Sequence, residues 1–362
     1  MHRPQGTTVL TPPKFSIVIP AHNRSDLFSP LVDSLLAQSF ADWEAVVVDD
    51  GSATDHFAAI QHSCARDGRI RLIRRADTAS GAPASRNRGF REARGELIVF
   101  LDSDDALAPE SLAERARAMD AHPAIDFGVF LCRLFRHTPG DMDLLHSGAT
   151  DRDDLTRYLL LDIPWQTTGP TWRRAALERL GPWIEDLPSW QDWEFHIRAL
   201  RRGFRYARFL GGLCHWRIPG GESIGIESLK PAHFDAQERV AFRVAEDLRS
   251  DGLLTPERLH AIAGTILSIG IRRVQARDRA GALAAWRQAR EAGLITSAQH
   301  LAGCVVLWLH RVPVAGRVWR VFIRKVWPRG LYPVISRVTF LTPLLHLTEE
   351  SRRYLPIPPI AD

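Results

Sequence analysis

The sequence predicts a doubly wound α/β domain with a mainly parallel sheet, followed by an all-helical region. Three observations carry this reading. Short apolar, β-branched runs alternate with amphipathic stretches between residues 15 and 101. Polar, acidic or glycine-bearing turns follow the carboxyl ends of those runs. Strand signals stop near residue 230, where long Ala-, Arg- and Leu-rich stretches begin.

The elements follow in order. Phe15 to Ile19 is a strand ending at Pro20. Ser25 to Gln38 is a helix with Leu27, Leu31 and Leu35 on one face. Trp43 to Val48 is the second strand and Thr54 to Arg66 a helix with a polar start. Ile70 to Ile73 is a short third strand, and Ala82 to Ala93 a helix after Gly81. Leu97 to Leu101 is the fourth strand, giving a βαβαβαβ order that favours parallel pairing. Pro109 to His122 reads as a helix with proline in its first turn, and Ile125 to Phe135 as a further strand. Ala236 to Ser250, Pro256 to Arg277 and Arg279 to Ala292 read as helices. The Gly220-Gly221 turn and Pro231 suggest a boundary, so residues 14–225 are expected to form one domain and 226–362 a helical region.

The fourth strand ends in Asp102-Ser103-Asp104-Asp105. Carboxylates at the carboxyl end of such a strand lie where open α/β sheets bind ligands. They repel one another, and a divalent cation such as Mg²⁺ or Mn²⁺ relieves that with hard oxygen ligands. An acidic turn capping the next helix is the other reading of an isolated cluster.

Composition bounds the rest. The 362 residues are 45% hydrophobic and 25% charged, an ordinary globular mix. Cys64, Cys132, Cys214 and Cys304 are scattered without a CxxC pair, which argues against a zinc site or disulfide framework and fits a reducing compartment. Met1 to Pro13 lacks the apolar core of a signal peptide, and no apolar window reaches membrane-spanning length. A cytoplasmic location is expected, with a peripheral place at the inner face of the membrane as a variant of it. The formal charge is +5, yet Arg311 to Thr348 alone holds seven basic residues and no acid, so basicity is a C-terminal property.

Five motifs occur in order: Pro20-Ala21-His22-Asn23-Arg24, Val48-Asp49-Asp50-Gly51-Ser52, Gly81 through Gly89 with Arg86-Asn87-Arg88, Asp102-Ser103-Asp104-Asp105, and Gly181-Pro182-Trp183 followed by Trp190-Gln191-Asp192-Trp193-Glu194. Four of them follow strands or open a helix on one edge of the sheet. They would build an acidic crevice able to hold a base and ribose by hydrogen bonds and a diphosphate through a bridging metal.

This set resembles family-2 glycosyltransferases with the A-type, Rossmann-like nucleotide-sugar-binding fold, over roughly residues 14 to 218. The resemblance implies that Pro20, Ala21, Asn23 and Arg24 line the nucleotide pocket, and that Asp50 meets the base. Arg86 would meet the diphosphate, Asp102 the ribose, and Asp104 a Mg²⁺ or Mn²⁺ ion, while Asp105 orients the loop. The bland readings are a turn for Asp49 and Asp50 and a surface charge for Arg86. The family carries an acid pair after its Gly-x-aromatic turn; here the pair is Gln191-Asp192, so Asp192 resembles the general base and the preceding carboxylate is missing. A helix N-terminal carboxylate is the alternative for Asp192. Trp190 and Trp193 flank it, as acceptor-site walls or core. His215, expected just after a strand, resembles a further metal or diphosphate contact; a structural histidine is the other reading.

The implied reaction is inverting transfer from a nucleoside-diphosphate sugar, a UDP-sugar first, to an acceptor hydroxyl of a glycan or lipid-linked acceptor. The family's roles suggest bacterial polysaccharide, lipopolysaccharide or other cell-surface glycan assembly. Ala315 to Trp327 drawn as a helix separates Trp319, Phe322, Ile323 and Val326 from Arg317, Arg320 and Arg324, which suggests peripheral membrane contact through 311–348. A solvated basic face is the alternative. No nucleic-acid module accompanies this charge, so nucleic acid is not an expected partner. Two other functions fit the class: a metal-dependent nucleotidyltransferase, disfavoured because no Gly-rich loop follows the first strand, and a catalytically inactive glycan- or partner-binding module, which the Gln191 departure keeps open.

Overall fold

The computed structural model describes residues 12–75, 81–147, 151–218 and 230–310. Their packing divides into two compact units. The first takes the described residues of Met1–Cys132, Thr167–Trp183 and Arg205–Trp216; the second takes those of Arg133–Gln166, Ile184–Phe204 and Arg217–Asp362.

The first unit is built on a sheet. Its strands are β1 (Phe15–Ala21), β2 (Trp43–Asp49), β3 (Ile70–Arg74), β4 (Leu97–Phe100), β5 (Ala106–Leu107), β6 (Phe127–Phe135), β7 (Pro170–Arg173) and β8 (Tyr206–Arg217), in the order β3-β2-β1-β4-β7-β6-β8-β5. The four expected strands pair in parallel, β2 between β1 and β3, and β1 between β2 and β4. β1, β2 and β4 are buried along their whole length, which is why they read as continuous apolar runs rather than alternating ones. Helices α1 (Ser25–Leu36), α2 (Thr54–Cys64), α3 (Ala82–Glu92), α4 (Ser111–Ala121) and α6 (Arg174–Leu180) belong to this unit. Helix α3 lies so close on β1 and β2 that a Cβ on Gly89 would come 2.4 Å from Val18 Cγ1.

Beyond β4 the sheet turns antiparallel: β7 against β4, β6 against β7, and β5 against β8. The fold is thus the expected mainly parallel α/β class, extended by an antiparallel half. β5 has two residues and β7 four, too few for a period to register in sequence.

The second unit is helical. It contains α5 (Asp154–Leu159), α7 (Gln191–Arg201), a 3₁₀ turn at Pro231–His233, α8 (Phe234–Ser250), α9 (Pro256–Gln275), α10 (Arg279–Glu291) and α11 (Ser297–Leu309). Their starts follow capping chemistry: Thr255 accepts from Arg258 N with Pro256 in the first turn, Asp278 accepts from Gly281 N, and Thr296 forms a reciprocal box with Gln299. The basic amphipathic helix expected at Ala315–Trp327 lies outside the described residues. Among the described residues no helix is long and apolar enough to cross a membrane, and none of the four cysteines forms a disulfide.

Candidate active site

The first unit gathers most of the sequence motifs at the carboxyl ends of β1, β2 and β4. Pro20 and Ala21 are inside β1 rather than beyond it, in register with Val48 and Asp49. Asn23 follows with φ +50°, a left-handed conformation that asparagine tolerates better than most residues. Its backbone N–H donates to Ser52 Oγ and its Oδ1 accepts from Ala53 N, both at 2.9 Å. Asn23 therefore ties the loop after β1 to the loop after β2. Beside it, His22 Nδ1 lies 2.9 Å from the Asp50 carbonyl.

Asp49 and Asp50 diverge in role. The Asp49 side chain is buried and accepts from Ser52 N, as a turn residue does. Asp50 accepts from Arg75 Nη1 at 2.9 Å through one oxygen and from Gly81 N at 2.5 Å through the other. Arg75 is a site residue the sequence reading missed. It directly follows β3, which ends at Arg74.

Arg86 is buried in the early turns of α3. Its Nη2 donates to Asp102 Oδ1 at 2.5 Å, and its guanidinium lies 4.7 Å from the Trp183 ring centroid. Next to it, Asn87 exchanges two 2.9 Å hydrogen bonds with the Trp183 main chain. This pins the Gly181-Pro182-Trp183 turn, where Gly181 has φ +86°, onto α3. Two motifs almost a hundred residues apart are thus one structural device.

The acidic loop after β4 distributes its charge. Asp102 meets Arg86, and Asp104 comes within 4.0 Å of Arg24. Buried Asp105 accepts from Thr168 Oγ1 at 2.8 Å. The Thr168 carbonyl in turn accepts from both terminal nitrogens of Arg115, a fully buried guanidinium whose pKa burial lowers. Protein cations therefore relieve part of the repulsion expected in this loop. His215 lies within β8 rather than after it, opposite Ala106 on β5, which begins where the acidic loop ends.

The chemistry of the donor set bears on a metal. Asp104 keeps a partly exposed carboxylate, a hard donor suited to Mg²⁺ or Mn²⁺. Among the described residues no group of three or more His, Cys, Asp or Glu side chains is arranged to hold an ion. The residues fit a cation only if phosphate oxygens and water complete its shell, as is usual for Mg²⁺.

Asp192 belongs to the second unit, in the first turn of α7. Its Oδ1 accepts from Trp193 N at 2.8 Å, a contact natural to a helix N-terminus. Trp193 is buried, with Nε1 donating to the Tyr158 carbonyl at 2.7 Å, so of the two tryptophans it is the core residue. Trp190 caps the helix in a left-handed conformation, φ +61°.

The mixed, mostly parallel sheet flanked by helices, with the helical region after it, is consistent with an A-type, Rossmann-like glycosyltransferase fold. Comparison with known proteins agrees. The profile of glycosyl transferase family 2 matches residues 16–179. A PGL/p-HBAD biosynthesis glycosyltransferase of Mycobacterium bovis is 31% identical over 199 residues, which are 55% of this chain and 74% of that protein. The O-antigen biosynthesis protein RfbC of Myxococcus xanthus is 38% identical over 189 residues, 51% of this chain and 14% of that protein. The crystal structure of S. aureus TarS 1–349 in complex with UDP-GlcNAc superposes with a TM-score of 0.63, at 19% identity, over 85% of this chain and 92% of that one, a likeness of fold. The chain belongs to glycosyl transferase family 2. It spans a quarter or less of the length of several curated relatives it matches.

Proposed function

We propose that the chain transfers a sugar from a nucleoside-diphosphate sugar to an acceptor hydroxyl, with inversion at the anomeric carbon, in the assembly of a cell-surface glycan. The observation that carries this is the pairing of Asp50 with Arg75 and of Asp102 with Arg86, at the ends of β2 and β4 on either side of β1. Asp50 offers an acceptor beside a guanidinium donor, which complements an imide N–H flanked by carbonyls. Uracil and thymine offer such an edge, guanine offers N1–H beside O6, and a UDP-sugar is the first donor to test. Asp102, held by Arg86, would accept from ribose hydroxyls.

Asp192 is the proposed general base, on its motif position and partial exposure. It takes the proton of the acceptor O–H as that oxygen bonds to the anomeric carbon. The bond from that carbon to the diphosphate oxygen breaks, and the nucleoside diphosphate leaves with the electron pair. Asp104, with His215 as a further candidate ligand, would hold a divalent cation. A bound cation supplies charge stabilisation on the leaving diphosphate. A lipid-linked or glycan acceptor, peripheral membrane contact through 311–348 and a location at the inner face of the cytoplasmic membrane are parts of the same proposal.

Release of nucleoside diphosphate from a panel of UDP-, dTDP- and GDP-sugars tests it. Turnover that falls about 10²–10⁴-fold in Asp192→Asn, with donor binding kept, is the expected result for loss of a general base. Donor binding without turnover in the wild type would instead favour the inactive binding module, the reading that the Gln191 departure keeps open.

A further inference from the structure

We propose that Gln237 and Arg272, on α8 and α9, are positioning residues for the Asp192 carboxylate. The proposal rests on the reading of Asp192 as the base.

The problem they address is local. Trp190 stands immediately before α7 in a left-handed conformation, φ +61° and ψ +21°, and no side chain caps the helix there. A non-glycine residue adopts this conformation only when its surroundings enforce it. The helix is held on one side by Trp193, whose Nε1 donates to the Tyr158 carbonyl. That contact fixes the body of α7 but not the two residues leading into it.

Those residues are held by a buried polar relay. Arg272 Nη2 donates to Gln237 Oε1 at 2.8 Å, and Gln237 Nε2 donates to Ser189 Oγ at 3.1 Å. The orientation of the Gln237 amide follows from chemistry: a guanidinium only donates, so the oxygen faces Arg272 and the nitrogen faces Ser189. Ser189 and Gln237 are fully buried, and Arg272 is 7% exposed. The Arg272 guanidinium also lies 5.9 Å from the Trp190 ring centroid and 5.4 Å from that of Phe234. One side chain thus reaches both Ser189, through Gln237, and Trp190, directly.

Stability alone is a poor reason for this arrangement. Burial lowers Arg272 to about 10, so it remains a cation at neutral pH. Replacing a buried charge by apolar side chains of similar volume is often neutral or stabilising. A buried network of this kind instead selects one conformation, and here the selected conformation sets the backbone two residues before Asp192.

The test compares the wild type with Gln237→Leu/Arg272→Met, which removes the relay with little change of volume, and with Gln237→Glu, whose carboxylate accepts from both Arg272 and the Ser189 hydroxyl. Crystal structures report the 189–193 segment, and nucleoside diphosphate release from a UDP-sugar into water reports kcat and donor KM. The double variant is expected to keep or raise Tm while Trp190 leaves the left-handed region. A displacement of Asp192 by ~1 Å should lower kcat about 100-fold, with donor KM within about twofold. Gln237→Glu should recover most of the loss. If the double variant does not fold, Gln237→Met alone, which leaves Arg272 in place, is read in the same way. An unmoved Trp190 and Asp192, or a kcat that stays at the wild-type value while Asp192→Asn abolishes it, overturns the proposal. Full turnover in Asp192→Asn would instead defeat the base reading, and the crystal structures would still decide whether the relay positions residue 192.

Discussion

Arg86 Nη2 donates to Asp102 Oδ1 at 2.5 Å, from a guanidinium packed 4.7 Å from the Trp183 ring. The pair joins α3 to the loop after β4, and through Trp183 it also meets the turn that Asn87 pins.

Arg86→Ala should therefore weaken donor binding twice over, by losing a cation and by releasing Asp102. Loss of a hydrogen bond to a charged group, about 1.5–3 kcal/mol, corresponds to roughly a 10- to 100-fold rise in Kd. Arg86→Lys should not restore it, because an ammonium lacks the planar fork. Calorimetric titration with a UDP-sugar checks this, and an unchanged Kd would remove Arg86 from the donor site.

Asp50 and Arg75 form a mostly buried ion pair. Arg75→Met strands the carboxylate, to which Gly81 N still donates, and should destabilise the protein by about 3–5 kcal/mol. Adding Asp50→Asn should recover much of that, while donor binding stays lost. Urea unfolding of the two variants measures the difference; additive losses would show that the two residues act independently.

Gly89→Ala tests how α3 is seated. The new Cβ would meet Val18 Cγ1 at 2.4 Å and Val48 Cγ2 at 3.3 Å, both on central strands that cannot retreat. Overpacking of about 1–3 kcal/mol should outweigh the ~1 kcal/mol gained in helix propensity. A lower Tm is expected, and a raised one would mean that α3 slides freely over the sheet.

Glu44 on β2 carries a pH signature. Burial raises its pKa, but hydrogen bonds from Arg94 and Ser16, with the charge of Arg71, outweigh burial and leave it below the ordinary value. Because the folded pKa is the lower one, the stabilisation is complete above the unfolded value of about 4.3 and is lost as pH falls through the folded pKa. Thermal melts between pH 7 and pH 3 should show a steeper acid loss for the wild type than for Glu44→Gln. Parallel curves would dismiss Glu44 as the source.

Leu301, Val305 and Trp308 are exposed at four- and three-residue spacing on α11, just before the basic sequence that starts at Arg311. If residues 311–348 meet an anionic membrane, replacing Arg317, Arg320 and Arg324 by glutamine should weaken binding to phosphatidylglycerol vesicles by about 1 kcal/mol per charge, roughly 100-fold together. Flotation assays read this directly, and equal flotation of the two proteins would end the membrane proposal.

Much of the fold was legible because its signals are local. β1, β2 and β4 carry continuous apolar runs, and α8 to α10 are long enough to show a helical period; α11 was not legible, because Leu301 to Leu309 is apolar throughout and shows no polar face. The antiparallel strands β5 and β7 were not legible: they are short, and they exist through pairing with β8, β4 and β6. Of the candidate site, the motif residues on β1, β2, α3 and the loop after β4 come together in one unit. Arg75 escaped notice because its importance lies in a partner twenty-five residues away.

By itself the sequence determined the alternation of strand and helix, the acidic strand ends and the family they resemble, since periodicity and motif are properties of contiguous residues. Only the tertiary structure decided which charges meet. Asp102 faces Arg86, Asp104 approaches Arg24 and Asp105 turns to Thr168, three fates for carboxylates within four positions. It also decided that α7, which bears Asp192, packs in the same unit as α8 to α11. Burial and hydrogen-bond partners are set by residues distant in the chain, and a linear pattern holds no record of them.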